Sequence, residues 1–165
     1  MEKTKRLYFS AFPVIERIPF PMLKKAAENG GAKFFAVCDE KDFIGMIYFV
    51  MLEGAALVFY FAVDEKSRNK GYGSRILSEL KEKYPETRFF LETEKPDERA
   101  ENNEIRLRRK AFYRRNGFEE CGFRTGFLVP YDVLSCGGKV TVNEYRKIMR
   151  LFAKSVMFRQ NPDKE

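Results

Sequence analysis

Between Val63 and Leu80 the chain reads "VDEKSRNKGYGSRILSEL", a basic, glycine-punctuated stretch that follows an apolar run from Leu57 and opens into a helical pattern. The run Leu57 to Val63 has the composition of a strand. After the loop, Tyr72, Ile76, Leu80 and Tyr84 recur at i+4 spacing and form one apolar stripe on a helix. A loop between a strand and a helix N-terminus gathers backbone N–H groups that lack helical partners, and such an end attracts anions. Gly71 and Gly73 remove Cβ atoms from this place, while Arg68 and Lys70 add positive charge. A pyrophosphate suits it. The common phosphate motifs are absent, however: no GxxxxGK[ST] occurs, and Ile76 stands where the third glycine of GxGxxG belongs. By itself the RxxGxG spacing fits an ordinary helix-capping loop equally well.

Working outward, strands and helices alternate without internal repeats. The segment "KRLYFS" is expected as a first strand and "PFPMLKKAAENG" as a short helix closed by Gly30 and Gly31. The runs "KFFAVCDE", "FIGMIYFVML" and "GAALVFYFAV", parted by "KD" and "EG" turns, predict an antiparallel meander. Beyond the loop and its helix, "RFFLETE" reads as a buried strand with an acidic end. "NNEIRLRRKAFYRRNGF" reads as a helix with Gly117 at its C-cap. A β-like "FEECGFRTGFLV" and a last helix, "TVNEYRKIMRLFAKSVMF", complete the chain. The step strand, loop, helix, strand requires a crossover, so the strands on either side of the loop are expected to be parallel in an otherwise antiparallel sheet. The fold class is α+β.

The 165 residues carry a net charge of +7, with 44% hydrophobic and 33% charged residues. They are expected to form one domain, 1–165, with a helical extension at about 141–158. No apolar run approaches the roughly 20 residues that cross a bilayer. The start "MEKTKRLYFS" lacks the apolar core of a signal peptide, which predicts a cytoplasmic address without membrane contact. The absence of histidine excludes Ser-His-Asp and Cys-His nucleophiles and any histidine-ligated metal, and no metal is expected. Cys38, Cys121 and Cys136 lack a CxxC pair and read as reduced thiols.

Two motifs taken together point further. Arg68 to Gly73 is similar to the [RQ]xxGx[GA] loop of the GNAT superfamily of acetyl-CoA-dependent N-acetyltransferases, and "AFYRRNGF", Ala111 to Phe118, is similar to the family's helix ending in a tyrosine followed by Gly-Phe. They occur in the family's order, with "RFFLETE" between them, and the resemblance covers about residues 5 to 129. It implies a mixed, mostly antiparallel twisted sheet with helices on both faces and a parallel strand pair splayed around the cofactor. One departure stands out: many members carry an asparagine seven residues before the tyrosine, and Arg106 occupies that place here.

The resemblance implies acetyl transfer from acetyl-CoA, the cosubstrate, directly to the primary amine of a small molecule in a ternary complex. It places the pantetheine arm along Phe61, Ala62 and Val63, whose backbone N–H groups polarise the thioester. It places the pyrophosphate on the loop of Arg68, Asn69, Lys70, Gly71, Tyr72, Gly73 and Ser74. Tyr113 is the expected general acid, since a phenol of pKa about 10 carries its proton at neutral pH. An ammonium acceptor needs a base. Glu92 and Glu94 share one face of their strand by the period of two, and Glu92, nearer the apolar run, is the expected base, with Glu53 as a rival. Pro13, Phe20 and Tyr131 are candidates for the acceptor pocket. Arg108, Arg109, Lys110, Arg114 and Arg115 of "RLRRKAFYRR" read as the wet face of a helix, with some of them, especially Arg114 or Arg115, as candidates for the 3′-phosphate of CoA.

Two alternatives stay open: a protein or peptide N-acetyltransferase, and a noncatalytic CoA-binding or nucleic-acid-binding module on the same fold. Nucleic acid lacks a supporting motif and is not the expected partner. The Phe-rich last helix covers either its own sheet or a partner's in a homodimer.

Overall fold

The computed structural model describes residues 1–126 and 129–157. The chain opens with helix α1 (Glu2–Ala11), a 3-10 turn (Val14–Glu16) and helix α2 (Phe20–Glu28). Strands β1 (Lys33–Asp39), β2 (Asp42–Leu52) and β3 (Ala55–Val63) form the expected meander. Helix α3 (Tyr72–Lys83) follows the glycine loop, then strand β4 (Arg88–Glu94), helix α4 (Asn103–Arg115), strands β5 (Glu119–Thr125) and β6 (Tyr131–Cys136), and helix α5 (Val142–Met157). The six strands run in the order β1-β2-β3-β4-β6-β5, and every neighbouring pair is antiparallel except β3 and β4, which are parallel as the crossover requires.

The sheet is buried on both faces. Met46, Tyr48 and Val50 of β2 point into a core shared with Tyr8 of α1, Leu23 of α2 and Ile148 and Phe152 of α5. Ile47 and Phe49 point the other way, toward Leu77 and Leu80 of α3 and Phe118 after α4. This double burial makes β2 read as a continuous apolar run.

Two expectations are corrected. The segment "KRLYFS" lies inside α1, where Thr4, Leu7 and Tyr8 are buried at helical spacing. A short apolar run does not by itself separate the periods of helix and strand. Tyr131 to Cys136, given no element in the sequence reading, forms β6 and inserts between β4 and β5. The β-like run therefore continues the sheet through β5, but Phe127 and Leu128 lie outside the described residues, as does Phe158 of the expected helix extension.

The last helix covers the sheet of its own chain. Phe152 packs on Tyr48 and against the ring of Phe59, 3.8 Å between centroids. The start of α5 is a capping box: the Thr141 amide and hydroxyl donate to Glu144 Oε2 (2.8 Å each), and the Glu144 amide donates back to Thr141 Oγ1. Arg88 at the start of β4 ties this turn to the sheet with a 2.6 Å bond to Glu144.

Candidate active site

The site is made by a defect in β3. Strands β3 and β4 pair only over Ala55–Val58 and Arg88–Leu91. Directly after Val58 the register of β3 against β2 slips by one residue, leaving Phe59 as the extra residue of a β-bulge. A bulge bends its strand and flips the later side chains to the opposite face. Accordingly Val58 faces the α3/α4 core, yet Tyr60 and Ala62, two and four residues on, face the α1/α5 core. Phe61 now stacks toward Phe112 of α4, with centroids 6.4 Å apart. The bent strand leaves β4, and the β4-facing backbone of Phe59–Val63 has no strand partner among the described residues.

The glycine loop closes the far end of this opening. Asn69 (φ +59°) and Gly71 (φ +80°) are both left-handed, and Gly71 caps α3 without any side-chain cap. Among the described residues, the amides of Lys70, Gly71, Tyr72, Gly73 and Ser74 meet no acceptor. Five unpartnered N–H groups at a helix N-terminus form a nest that fits a pyrophosphate. Arg68 folds back over the strand end, its Nε donating to the Val63 carbonyl at 3.1 Å. The Tyr72 hydroxyl turns away to Asp39 (2.9 Å), leaving its amide for the loop, and the Lys70 side chain lines a neighbouring groove with Lys3 and Arg6.

Two clefts meet here. One is lined by the loop, by Phe61 and Val63, and by the α4 residues Arg108, Arg109, Phe112, Tyr113 and Arg115. The other is lined by Pro13, Glu16, Ala62, Glu92, Glu94 and Tyr131, among others. Phe61, Val63, Arg68, Ile105, Arg109 and Tyr113 belong to both.

Tyr113 is 9% exposed and edge-packed on Phe112 and Phe118. Burial pushes its phenol up to about 12, against a smaller downward pull from Arg109. The hydroxyl makes no hydrogen bond among the described residues.

Glu92 sits where β4 parts from β3. Its Oε1 accepts hydrogen bonds from the hydroxyls of Thr125 on β5 and Tyr145 on α5, the latter at 3.0 Å. Burial first, then Glu92, raises the Tyr145 phenol, which keeps it a donor. Glu94 is differently placed: Arg106 pairs with it at 3.4 Å and also donates to the Lys95 carbonyl and to Asn102 Oδ1. The residue at the family's asparagine position is thus a clamp on the end of β4. Across the cleft, the Tyr131 hydroxyl donates to Glu16 Oε1 at 3.1 Å, and burial pushes Tyr131 up to about 12. The backbone around Glu16 is held by Tyr60, whose hydroxyl donates to the Glu16 carbonyl at 2.7 Å.

Of the other candidates, Pro13 and Tyr131 line the second cleft, while Phe20 is buried in the core against Tyr8 and Phe34. Glu53 is corrected as a rival base: it lies in the β2–β3 turn at the opposite end of β3, paired with Lys147 at 3.2 Å. Glu16, Thr125 and Tyr145 escaped the sequence reading. No local pattern marks them, since Tyr145 and Glu92 are 53 residues apart.

The fold is shared with known proteins. The family model described as "Acetyltransferase (GNAT) domain" matches residues 30–120, more than half of the chain. The chain belongs to the GNAT family of acetyltransferases. Among solved structures, it is similar to a protein from Bacteroides thetaiotaomicron assigned to that family, with 25% identity and a TM-score of 0.74 over 93% of this chain and 89% of the other. An aminoglycoside 6′-N-acetyltransferase complexed with coenzyme A shares the fold (15% identity, TM-score 0.63, 81% and 88% covered). So does the ribosomal-protein-S18-alanine N-acetyltransferase from Escherichia coli (18% identity, TM-score 0.50, 72% and 77% covered). Comparison with curated proteins finds no match.

Proposed function

We infer that the protein transfers an acetyl group from acetyl-CoA to the primary amine of a small molecule within a ternary complex. The observation that carries this reading is the meeting of two clefts at Tyr113. The loop cleft seats the cosubstrate, with the amides of Lys70 to Ser74 and the side chains of Arg68 and Asn69 facing its pyrophosphate and Phe61 to Val63 along the pantetheine arm. The second cleft seats the acceptor. Acetyl-CoA supplies a thioester whose acyl carbon a neutral amine attacks.

The chain's own groups do the rest. The unpaired backbone edge of β3 offers N–H donors, and one preorganised donor of this kind contributes roughly 3–4 kcal/mol to an oxyanion-like transition state. Glu92, positioned by two hydroxyls on one oxygen, takes the proton of an incoming ammonium directly or through water. Tyr113 presents its proton toward the departing sulfur. With the phenol at about 12 and a thiol near 8.5, full transfer is uphill by about 5 kcal/mol, so Tyr113 acts chiefly by hydrogen bonding to developing charge.

A small acceptor is supported by the Tyr131–Glu16 bond, which ties the turn before α2 to β6 in the lining of the second cleft. A peptide acceptor is favoured by one feature, the exposed Val14 (77%) and Ile15 (90%) beside the cleft.

The test is thiol release from acetyl-CoA with a panel of polyamines, aminoglycosides, amino acids and short peptides. Turnover with a small amine, reduced about a hundredfold in Tyr113→Phe and in Glu92→Gln while CoA binding persists, is the expected result. Turnover with peptides alone would replace the acceptor class, and CoA binding without any release would make the protein a noncatalytic module.

A further inference from the structure

Helix α4 carries six cations, and the structure divides them into two groups. Arg106, Lys110 and Arg114, at steps of four, form one stripe facing β4, β5 and β6, and each has a carboxylate: Glu94 at 3.4 Å, Asp132 at 2.6 Å and Glu120 at 2.6 Å, respectively. Arg108, Arg109 and Arg115 have no ion pair or hydrogen bond among the described residues. These three line the loop cleft, where Glu65 is the sole carboxylate-bearing residue in the described lining.

Their position is fixed by Phe112. A Cβ built on Gly73 would lie 3.1 Å from the Phe112 ring, so this face of α4 rests directly on the first turn of α3. Arg108 lies four residues before Phe112 and Arg115 three after it, on the same face and about 10 Å apart along the axis. They flank the phosphate nest from across the cleft. Arg109 differs, since it also lines the acceptor cleft beside Tyr113.

Unpaired cations gathered in one cleft repel one another and favour an anion between them. The pyrophosphate is already matched by loop amides. The coenzyme has one more phosphate, with a second pKa of about 6 and hence close to two charges at neutral pH. We propose that Arg108 and Arg115 hold the 3′-phosphate of coenzyme A and make the protein selective for it over 3′-dephospho-coenzyme A. This rests on the reading of the loop cleft as the coenzyme seat. Arg114, a candidate from the sequence, is excluded by its bond to Glu120.

The experiment is calorimetric titration of the full chain with coenzyme A and with 3′-dephospho-coenzyme A. The wild type, the double variant Arg108→Gln/Arg115→Gln and the control Arg114→Gln are compared, each checked by thermal melting. Both target side chains are exposed and without partners, so the double variant is expected to keep its fold. The wild type should bind coenzyme A about tenfold or more tightly than the dephospho form. The double variant should bind both alike, at the wild type's dephospho affinity, and Arg114→Gln should retain the preference. Equal wild-type affinities, or an equal loss of both ligands in the double variant, would overturn the proposal while leaving the coenzyme seat intact. Failure of the folded wild type to bind either ligand would overturn the seat itself, and the proposal with it.

Discussion

The hydroxyl of Tyr145, on the C-terminal helix, donates a 3.0 Å hydrogen bond to Oε1 of Glu92 at the open end of β4. Helix α5 is thereby more than a cover for the sheet: it fixes a carboxylate that lines the second cleft. A hydrogen bond to a charged group contributes roughly 1.5–3 kcal/mol, less where water reaches it. Tyr145→Phe should lower the unfolding free energy by about 1–2 kcal/mol in urea denaturation at pH 7. Turnover should fall while affinity for coenzyme A stays at the wild-type value; unchanged turnover would reduce the contact to an anchor for α5.

Gly71 separates backbone demand from ligand demand. Its φ of +80° is left-handed, and a Cβ there would meet nothing within 4 Å. Gly71→Ala should cost about 1 kcal/mol of backbone strain without a clash. Gly71→Asp adds a carboxylate at the nest and should abolish binding of acetyl-CoA in calorimetry with a melting curve close to that of Gly71→Ala. Retained binding in the aspartate variant would remove the phosphate from this loop.

The Arg88–Glu144 pair gives the fold an acid limb. The Arg88 hydrogen bond, followed by the Thr141 amide, lowers the Glu144 carboxyl from 4.5 to about 2. A depressed folded-state pKa contributes stability that is present above pH 4.5 and lost as the pH falls toward 2. With the side chain about a quarter exposed, solvent screening leaves about 1–2 kcal/mol of this. Glu144→Gln should therefore be less stable than the wild type at pH 6, and the gap should narrow by pH 3; a constant gap would contradict the linkage.

Lys110 and Asp132 form a nearly buried pair, with side chains 12% and 8% exposed and Nζ and Oδ2 2.6 Å apart. Lys110→Met would leave the Asp132 carboxylate with Arg124 as its remaining cation, at 3.4 Å. Removing one partner of a buried pair costs about 3–5 kcal/mol, and the residual arginine reduces that to about 2–4. The expected readout is a melting temperature lower by about 5–10 °C. A variant melting with the wild type would show that the Lys110–Asp132 pair does not hold α4, and Tyr113 on it, in place.

Much of the architecture was legible because its signals are local. The glycine loop, the stripe of α3, the meander and the parallel step are written in neighbouring residues, where period and turn chemistry act within a few positions. The same locality explains the failures. The three apolar or aromatic positions of "KRLYFS", Leu7, Tyr8 and Phe9, fit either period until α1 meets the sheet, and Tyr131 to Cys136 became a strand by finding an open place between β4 and β5.

The sequence by itself determined that a glycine loop precedes a helix between parallel strands, because left-handed glycines and helix caps are set by adjacent residues. Only the tertiary structure decided where the loop's partners lie. The bulge at Phe59 arises from register against β2 and turns Phe61 toward α4. The hydroxyls on Glu92 come from strands and helices 33 and 53 residues away. Whether a cation of α4 is neutralised or left for a ligand depends on which carboxylates the packed sheet brings within reach, a matter of distances in space that spacing along the chain does not contain.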